Sequence, residues 1–212
     1  MKTTGRLNRA MAGFQQSRPD EQPVSAEPRL LPLLPSARSV VLIGLMGAGK
    51  TSIGRRLAKR LGVTFVDSDD EIAKAAGCSV QDIFARFGEP AFRDGERRVI
   101  ARLLAESPQV MATGGGAFLD PTTRQGIRAH GVSVWLKAEL DVLVRRTEGR
   151  PGRPLLNAGD PRAILERLIA ERYPVYGLAD LTVLSEDVPI EATVDKVVAA
   201  LRRYGRGMEV AR

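Results

Sequence analysis

Cysteine and histidine are almost missing from this 212-residue chain, which has one of each, Cys78 and His130. A lone cysteine closes no intramolecular disulfide, and the pair cannot complete a Cys/His zinc site. No imidazole is to spare for a Ser-His-Asp triad. Cys78 reads as a small helix-end residue and His130 as a surface loop residue, and a reducing cytosol is the natural compartment. Aromatics make up only 5% of the chain, so base-stacking surfaces are poorly supplied and no nucleic-acid partner is expected. The apolar runs are too short and interrupted to span a bilayer, which argues against a membrane partner. Acidic residues (25) are outnumbered by Lys and Arg (32), giving a net charge of +7. The basic residues are scattered, a pattern that suits small phosphorylated or carboxylated ligands. A hydrophobic content of 43% is enough for one substantial core and hence one domain.

Residues 1–37 carry five prolines and little periodicity, so they read as a disordered N-terminal arm outside the core. Lys2, Arg6, Arg9 and Arg18 precede or accompany the first acidic residues, Asp20 and Glu21. That has some likeness to a transit peptide, but Glu27 follows and there is no apolar signal core, so a basic arm is the expectation. Met11 offers a later start.

The domain itself is expected over 38–205, with a tail at 206–212. From Ser39 onward, β-branched runs at Val40–Ile43, Thr64–Val66, Gln109–Ala112, Val132–Leu136 and Leu181–Leu184 alternate with helical patterns. Strands alternating with helices predict an α/β fold on a parallel sheet. Ser79, Asp120-Pro121 and Asp160-Pro161 are helix starts, and Ile190, Val194, Val197, Val198 and Leu201 line one face of a last helix from about Pro189 to Tyr204. Two stretches interrupt the alternation. Residues of about 69–105 are too long for one crossover and read as a helical substrate-binding insert. The Gly/Pro/Arg-rich stretch of about 148–160 reads as a mobile lid.

Gly44-Leu-Met-Gly47-Ala48-Gly49-Lys50-Thr51 sits between the first strand and a helix beginning with Ser52. This is a Walker A phosphate loop in its required setting. Its glycines let backbone N–H groups face a phosphate, Lys50 neutralises β/γ oxygens, and the Thr51 hydroxyl can bind Mg²⁺. In open α/β sheets ligands bind beyond the carboxyl ends of the strands. Two further polar clusters follow strands: Asp67-Ser-Asp69-Asp70 and Thr113-Gly114-Gly115-Gly116. Asp67 and Asp69 would project to the same side of an extended strand end, one for a metal and the other for an acceptor. Equally, Ser68, Asp69 or Asp70 could cap the next helix, and the spacing leaves both readings open. The triple glycine would let backbone approach a ligand closely. Arg55, Arg56, Lys59 and Arg60 read as a solvated face, whereas Arg93 could grip a carboxylate, Arg153 could reach a phosphoryl group and Arg172 follows the lid on the next helix; each of these three alone reads equally as an ordinary surface arginine.

Taken together, GLMGAGKT, FVDSD, FRDGE, TGGG, RRTEGRPGRPLL and ERYPVY occur in an order and spacing that resembles the shikimate kinase family from about Ser39 to Tyr204. The resemblance implies a P-loop kinase three-layer α/β/α fold with strand order 2-3-1-4-5. It also implies ATP-dependent phosphorylation of the 3-hydroxyl of shikimate in aromatic amino-acid biosynthesis. Independently of the resemblance, the cysteine usage points to the cytoplasm, and a monomer is expected because no extra apolar helix face stands out. By the resemblance, ATP would be bound by Gly47, Ala48, Gly49, Lys50, Thr51, Ser52, Arg146 and Arg153, with Arg146 against the adenine. Mg²⁺ would be held by Thr51 and Asp67, and Asp69 would act as base, with Lys50 and Arg153 completing the catalytic set. Asp69, Arg93, Gly114, Gly115, Gly116 and Arg172 would bind shikimate, with Glu96 supporting Arg93. The chain departs from the family pattern in its arm and in the additional Arg150 of the lid. A gluconate-type P-loop kinase is the nearest alternative; a nucleoside monophosphate kinase lacks visible chemistry for a second base. A non-catalytic nucleotide switch would have no use for the Asp67/Asp69, Arg93 and triple-glycine set.

Overall fold

Among the described residues, five parallel strands form one sheet in the order β2-β3-β1-β4-β5, with β1 at Ser39–Ile43, β2 at Thr64–Asp67, β3 at Gln109–Ala112, β4 at Gly131–Lys137 and β5 at Leu181–Leu184. The computed structural model describes residues 38–106, 108–148 and 159–210. The 1–37 arm and nearly all of the 148–160 lid, including Arg150 and Arg153, lie outside the described residues. The helices are α1 (Lys50–Leu61), α2 (Ser68–Ala76), α3 (Val80–Ala105), α4 (Pro121–His130), α5 (Leu140–Thr147), α6 (Pro161–Tyr176) and α7 (Ile190–Val210). A short 3₁₀ turn spans Ala117–Leu119.

The strand pattern explains the sheet order. Every residue of β1 and β3 is buried, as expected where helices cover both faces of a parallel sheet. The edge strand β5 instead alternates, with Val183 buried between exposed Thr182 and Leu184. Register brings Val110 and Val132 to either side of Val40. Ser133, buried on the inner strand β4, is paired. Ser133 donates from N and Oγ to the Asp180 carboxylate at 2.8 and 2.6 Å, so no ladder position leaves an orphan there.

The helices begin where their caps dictate. Ser79 and Asp82 form a reciprocal capping box at the start of α3. Asp120 and Asp160 accept N–H bonds from Thr123 and Arg162, ahead of Pro121 and Pro161. Within α3, Gly88 takes φ 77° and Pro90 follows. A left-handed residue followed by one with no N–H to donate bends the helix. The insert therefore packs on a small apolar cluster of its own, Ile72, Ile83 and Phe92. The buried stripe Val194, Val197, Val198 and Leu201 seats α7 against the core. The helix continues past Tyr204 to Val210, so residues 206–210 extend it rather than begin a tail. Arg56 pairs with Glu191 at 2.8 Å and Arg60 with Asp195, both exposed. No helix among the described residues is long and apolar enough to cross a membrane.

Candidate functional site

The phosphate loop turns sharply between β1 and α1, and the turn explains its glycines. Gly44 has φ 143°, and a Cβ there would lie 2.8 Å from the Leu136 carbonyl oxygen, so no larger residue fits. Gly47 and Gly49 also have positive φ. Lys50 folds back along the loop, donating from Nζ to the Gly44 and Leu45 carbonyls at 2.8 and 3.0 Å. Thr51 and Ser52 are exposed in the first turn of α1, where backbone N–H groups are free of intrahelical partners.

Behind the loop, Arg146 of α5 donates to the Gly47 carbonyl at 3.3 Å and to Ser185 Oγ at 2.9 Å, and also to the Glu186 carbonyl. Ser185 in turn donates to the Ala48 carbonyl at 2.9 Å. Two loop carbonyls are thus held from the rear.

The second cluster resolves differently from an extended strand end. Asp67 closes β2, but Asp69 is already in the first turn of α2. The two carboxylates therefore do not share a strand face. The helix cap is Asp67 itself: Oδ1 accepts from Asp69 N at 3.2 Å while Oδ2 accepts from Thr51 Oγ1 at 2.9 Å. One side chain joins the phosphate loop to the start of α2. Among the described residues, no three His, Cys, Asp or Glu side chains converge on a metal-sized point. The Thr51 and Asp67 oxygens form a smaller, hard-donor pair beside the loop.

The triple glycine after β3 brings the remaining groups together. A Cβ on Gly114 would lie 2.7 Å from Asp69 Oδ1 and 2.9 Å from Glu96 Oε1. One on Gly116 would lie 2.4 Å from Arg93 Nη1, and one on Gly115 3.1 Å from Arg172 Nη1. Any side chain here would occupy the space of a charged group. Asp69 Oδ1, Glu96 Oε1 and Arg172 Nε are all buried without a protein partner. Unsatisfied buried charge of both signs in one place is costly to the fold and marks where a polar ligand would bind.

Charge and burial set the acidities. Asp69 is pushed up to about 6, first by burial and then by the neighbouring Asp67 and Glu96 carboxylates, with Lys50 opposing. Glu96 is raised by burial, against the pull of Arg93, which bonds its Oε2 at 2.7 Å. Arg93 also reaches Glu89 at 3.1 Å. Lys50 thus sits close enough to influence Asp69, which links the phosphate loop to the glycine cluster.

Three participants were not picked out as site residues from the sequence. Ser68, fully buried, accepts the Gly114 N–H at 3.2 Å. Ser185 braces the phosphate loop. Tyr176 donates to the Gly115 carbonyl. The spacing of Tyr176, one helical turn after Arg172, was the available signal for it.

The family model described as shikimate kinase matches residues 46–202. A shikimate kinase of Paramagnetospirillum magneticum is 60% identical over 178 residues, covering 83% of this chain and 91% of the relative. A solved shikimate kinase from Acinetobacter baumannii, in complex with shikimate, superposes at TM-score 0.73 with 34% identity, covering 77% of this chain and 92% of that one. A gluconokinase from Sinorhizobium meliloti has TM-score 0.55 at 19% identity over 82% of this chain and 97% of its own. That likeness extends to the fold and not to the acceptor.

Proposed function

The chain belongs to the shikimate kinase family, and from that premise we propose that it transfers the γ-phosphoryl group of ATP to the 3-hydroxyl of shikimate. The observation that carries this reading is the set of two carboxylates and two guanidinium groups gathered over Gly114–Gly116, beside the phosphate loop. A small acceptor with hydroxyls and a carboxylate is the ligand such a set complements.

In this reading the loop N–H groups from Gly47 to Ser52, with Lys50, hold the phosphates, and Arg146 borders the adenine. Arg93 and Arg172 clamp the acceptor carboxylate, and Gly114, Gly115 and Gly116 lie against its ring. Asp69 receives the proton of the attacking hydroxyl. The hydroxyl oxygen bonds to the γ-phosphorus while the bond to the β,γ-bridging oxygen breaks, releasing ADP. A carboxylate that titrates near 6 is a better base than an ordinary one and is still ionised at neutral pH.

The Thr51 and Asp67 oxygens suit Mg²⁺, which takes one or two protein oxygens and completes its shell with phosphates and water. When bound, the ion neutralises charge on the β- and γ-phosphate oxygens. The role of Arg153 is supported by the sequence resemblance alone. A cytoplasmic location belongs to the same proposal and is checked by cell fractionation. So does a monomeric state, checked by sedimentation.

The test is product identity. Incubated with Mg²⁺, ATP and shikimate, the enzyme should yield one monophosphate whose phosphorus couples to the proton at carbon 3 by NMR. Phosphorylation elsewhere, or none, would remove the reading.

A further inference from the structure

Tyr176 is the last residue of α6 and is fully buried. Its ring packs against those of Trp135 and Tyr173, with centroids 6.0 and 6.1 Å away, and those two rings meet edge to face at 4.9 Å. Burial pushes its phenol up, so the hydroxyl remains a protonated donor at neutral pH. That single proton is given to the Gly115 carbonyl, 61 residues away in sequence. A Cβ on Gly115 would lie 3.1 Å from Arg172 Nη1 and 3.7 Å from Tyr176 Oη, so the guanidinium and the phenol flank the same glycine.

The peptide joining Gly115 to Gly116 is planar and trans, and its carbonyl and N–H point in opposite directions. A carbonyl held by the phenol therefore turns the Gly116 N–H away from Tyr176. Glycine has no side chain to restrict that plane, so the restraint must come from outside the loop. The rigid aromatic base supplies it. Arg172, one turn earlier on the same helix, lies beside this bond with Nε buried and unpartnered.

We propose that Tyr176 is a positioning residue for acceptor binding: its hydroxyl fixes the Gly115–Gly116 peptide and keeps Arg172 directed at the acceptor carboxylate. It touches neither the donor nor the reacting atoms. Its effect belongs to the acceptor half of the site and not to the phosphate loop.

This rests on the shikimate reading, and the experiment separates the two. Wild-type enzyme, Tyr176→Phe and Tyr173→Phe are assayed with both substrates varied, and their melting temperatures are measured. Tyr176→Phe keeps the ring and deletes only the hydroxyl. It should raise the KM for shikimate roughly 5- to 100-fold, the range expected when a buried carbonyl loses its donor. The KM for ATP should stay within about twofold, because the loop carbonyls are held by other residues. Tyr173→Phe removes a half-buried phenol donor on the same helix, here to the Ala138 carbonyl, and should leave the KM for shikimate unchanged. Wild-type inactivity on shikimate would remove both the reading and the inference. Given an active wild type, an unchanged KM for shikimate in Tyr176→Phe would overturn the inference. So would an equal rise in both KM values, or the same kinetic change in Tyr173→Phe.

Discussion

Replacing Asp69 by Asn should stabilise the protein while stopping the reaction. Folding buries this carboxyl beside Asp67 and Glu96 and raises its pKa from 3.8 to about 6. A group whose folded pKa is raised contributes stability below its unfolded pKa and loses it as pH rises through the folded value. At about 1.4 kcal/mol per tenfold change in acidity, the ionised form costs the native state up to about 3 kcal/mol above neutral pH. Asn carries no charge, so the variant should avoid that cost. For a domain of this size the gain corresponds to a melting temperature about 6–12 °C higher at pH 8. The difference should shrink as pH falls through 6 and vanish near 4. Thermal unfolding of both proteins between pH 4 and 8 reads it directly, and turnover should fall by about 10²–10⁴-fold with ATP affinity nearly kept. Equal stability at pH 8, or a difference that does not depend on pH, would refute the claim that Asp69 is held under electrostatic strain.

Gly116→Ala places a methyl 2.4 Å from Arg93 Nη1; the flexible guanidinium can move, so melting should barely change while the KM for shikimate rises about tenfold or more. Glu96→Gln removes one cause of the raised Asp69 pKa. The acid limb of the kcat/KM profile should move below pH 6, and the KM for shikimate should rise as Arg93 loses its 2.7 Å partner. Gly54→Ala would set a Cβ 2.4 Å from a Phe65 ring carbon in the packed seam of α1. Chemical denaturation should report a loss of about 1–3 kcal/mol.

Much of the fold was legible because the strands buried on both faces, such as β1 and β4, read as short apolar runs, and the strands alternated with helical patterns. Asp120-Pro121 and Asp160-Pro161 marked helix starts for a reason independent of tertiary context, since a cap and a residue without an N–H belong there. The seam at Asp67 was less legible. Whether Asp69 continued a strand or began a helix depended on where the chain turned, and only the backbone shows Asp67 taking the cap while bonding Thr51. The support behind the site was hidden for another reason. Arg146 reaches the Gly47 carbonyl across 99 residues, and Tyr176 reaches that of Gly115 across 61. Such bonds end on backbone carbonyls, which every residue has, so no residue type at the accepting end announces them.

The central claim, that carboxylates and guanidinium groups over Gly114–Gly116 select the acceptor, is tested most directly by ADP release with competing acceptors. Wild-type enzyme with Mg²⁺ and ATP is offered shikimate, gluconate or AMP at equal concentration, and kcat/KM is measured for each. Turnover of shikimate, with gluconate and AMP near background, is the predicted result; turnover of gluconate or AMP without shikimate would contradict it.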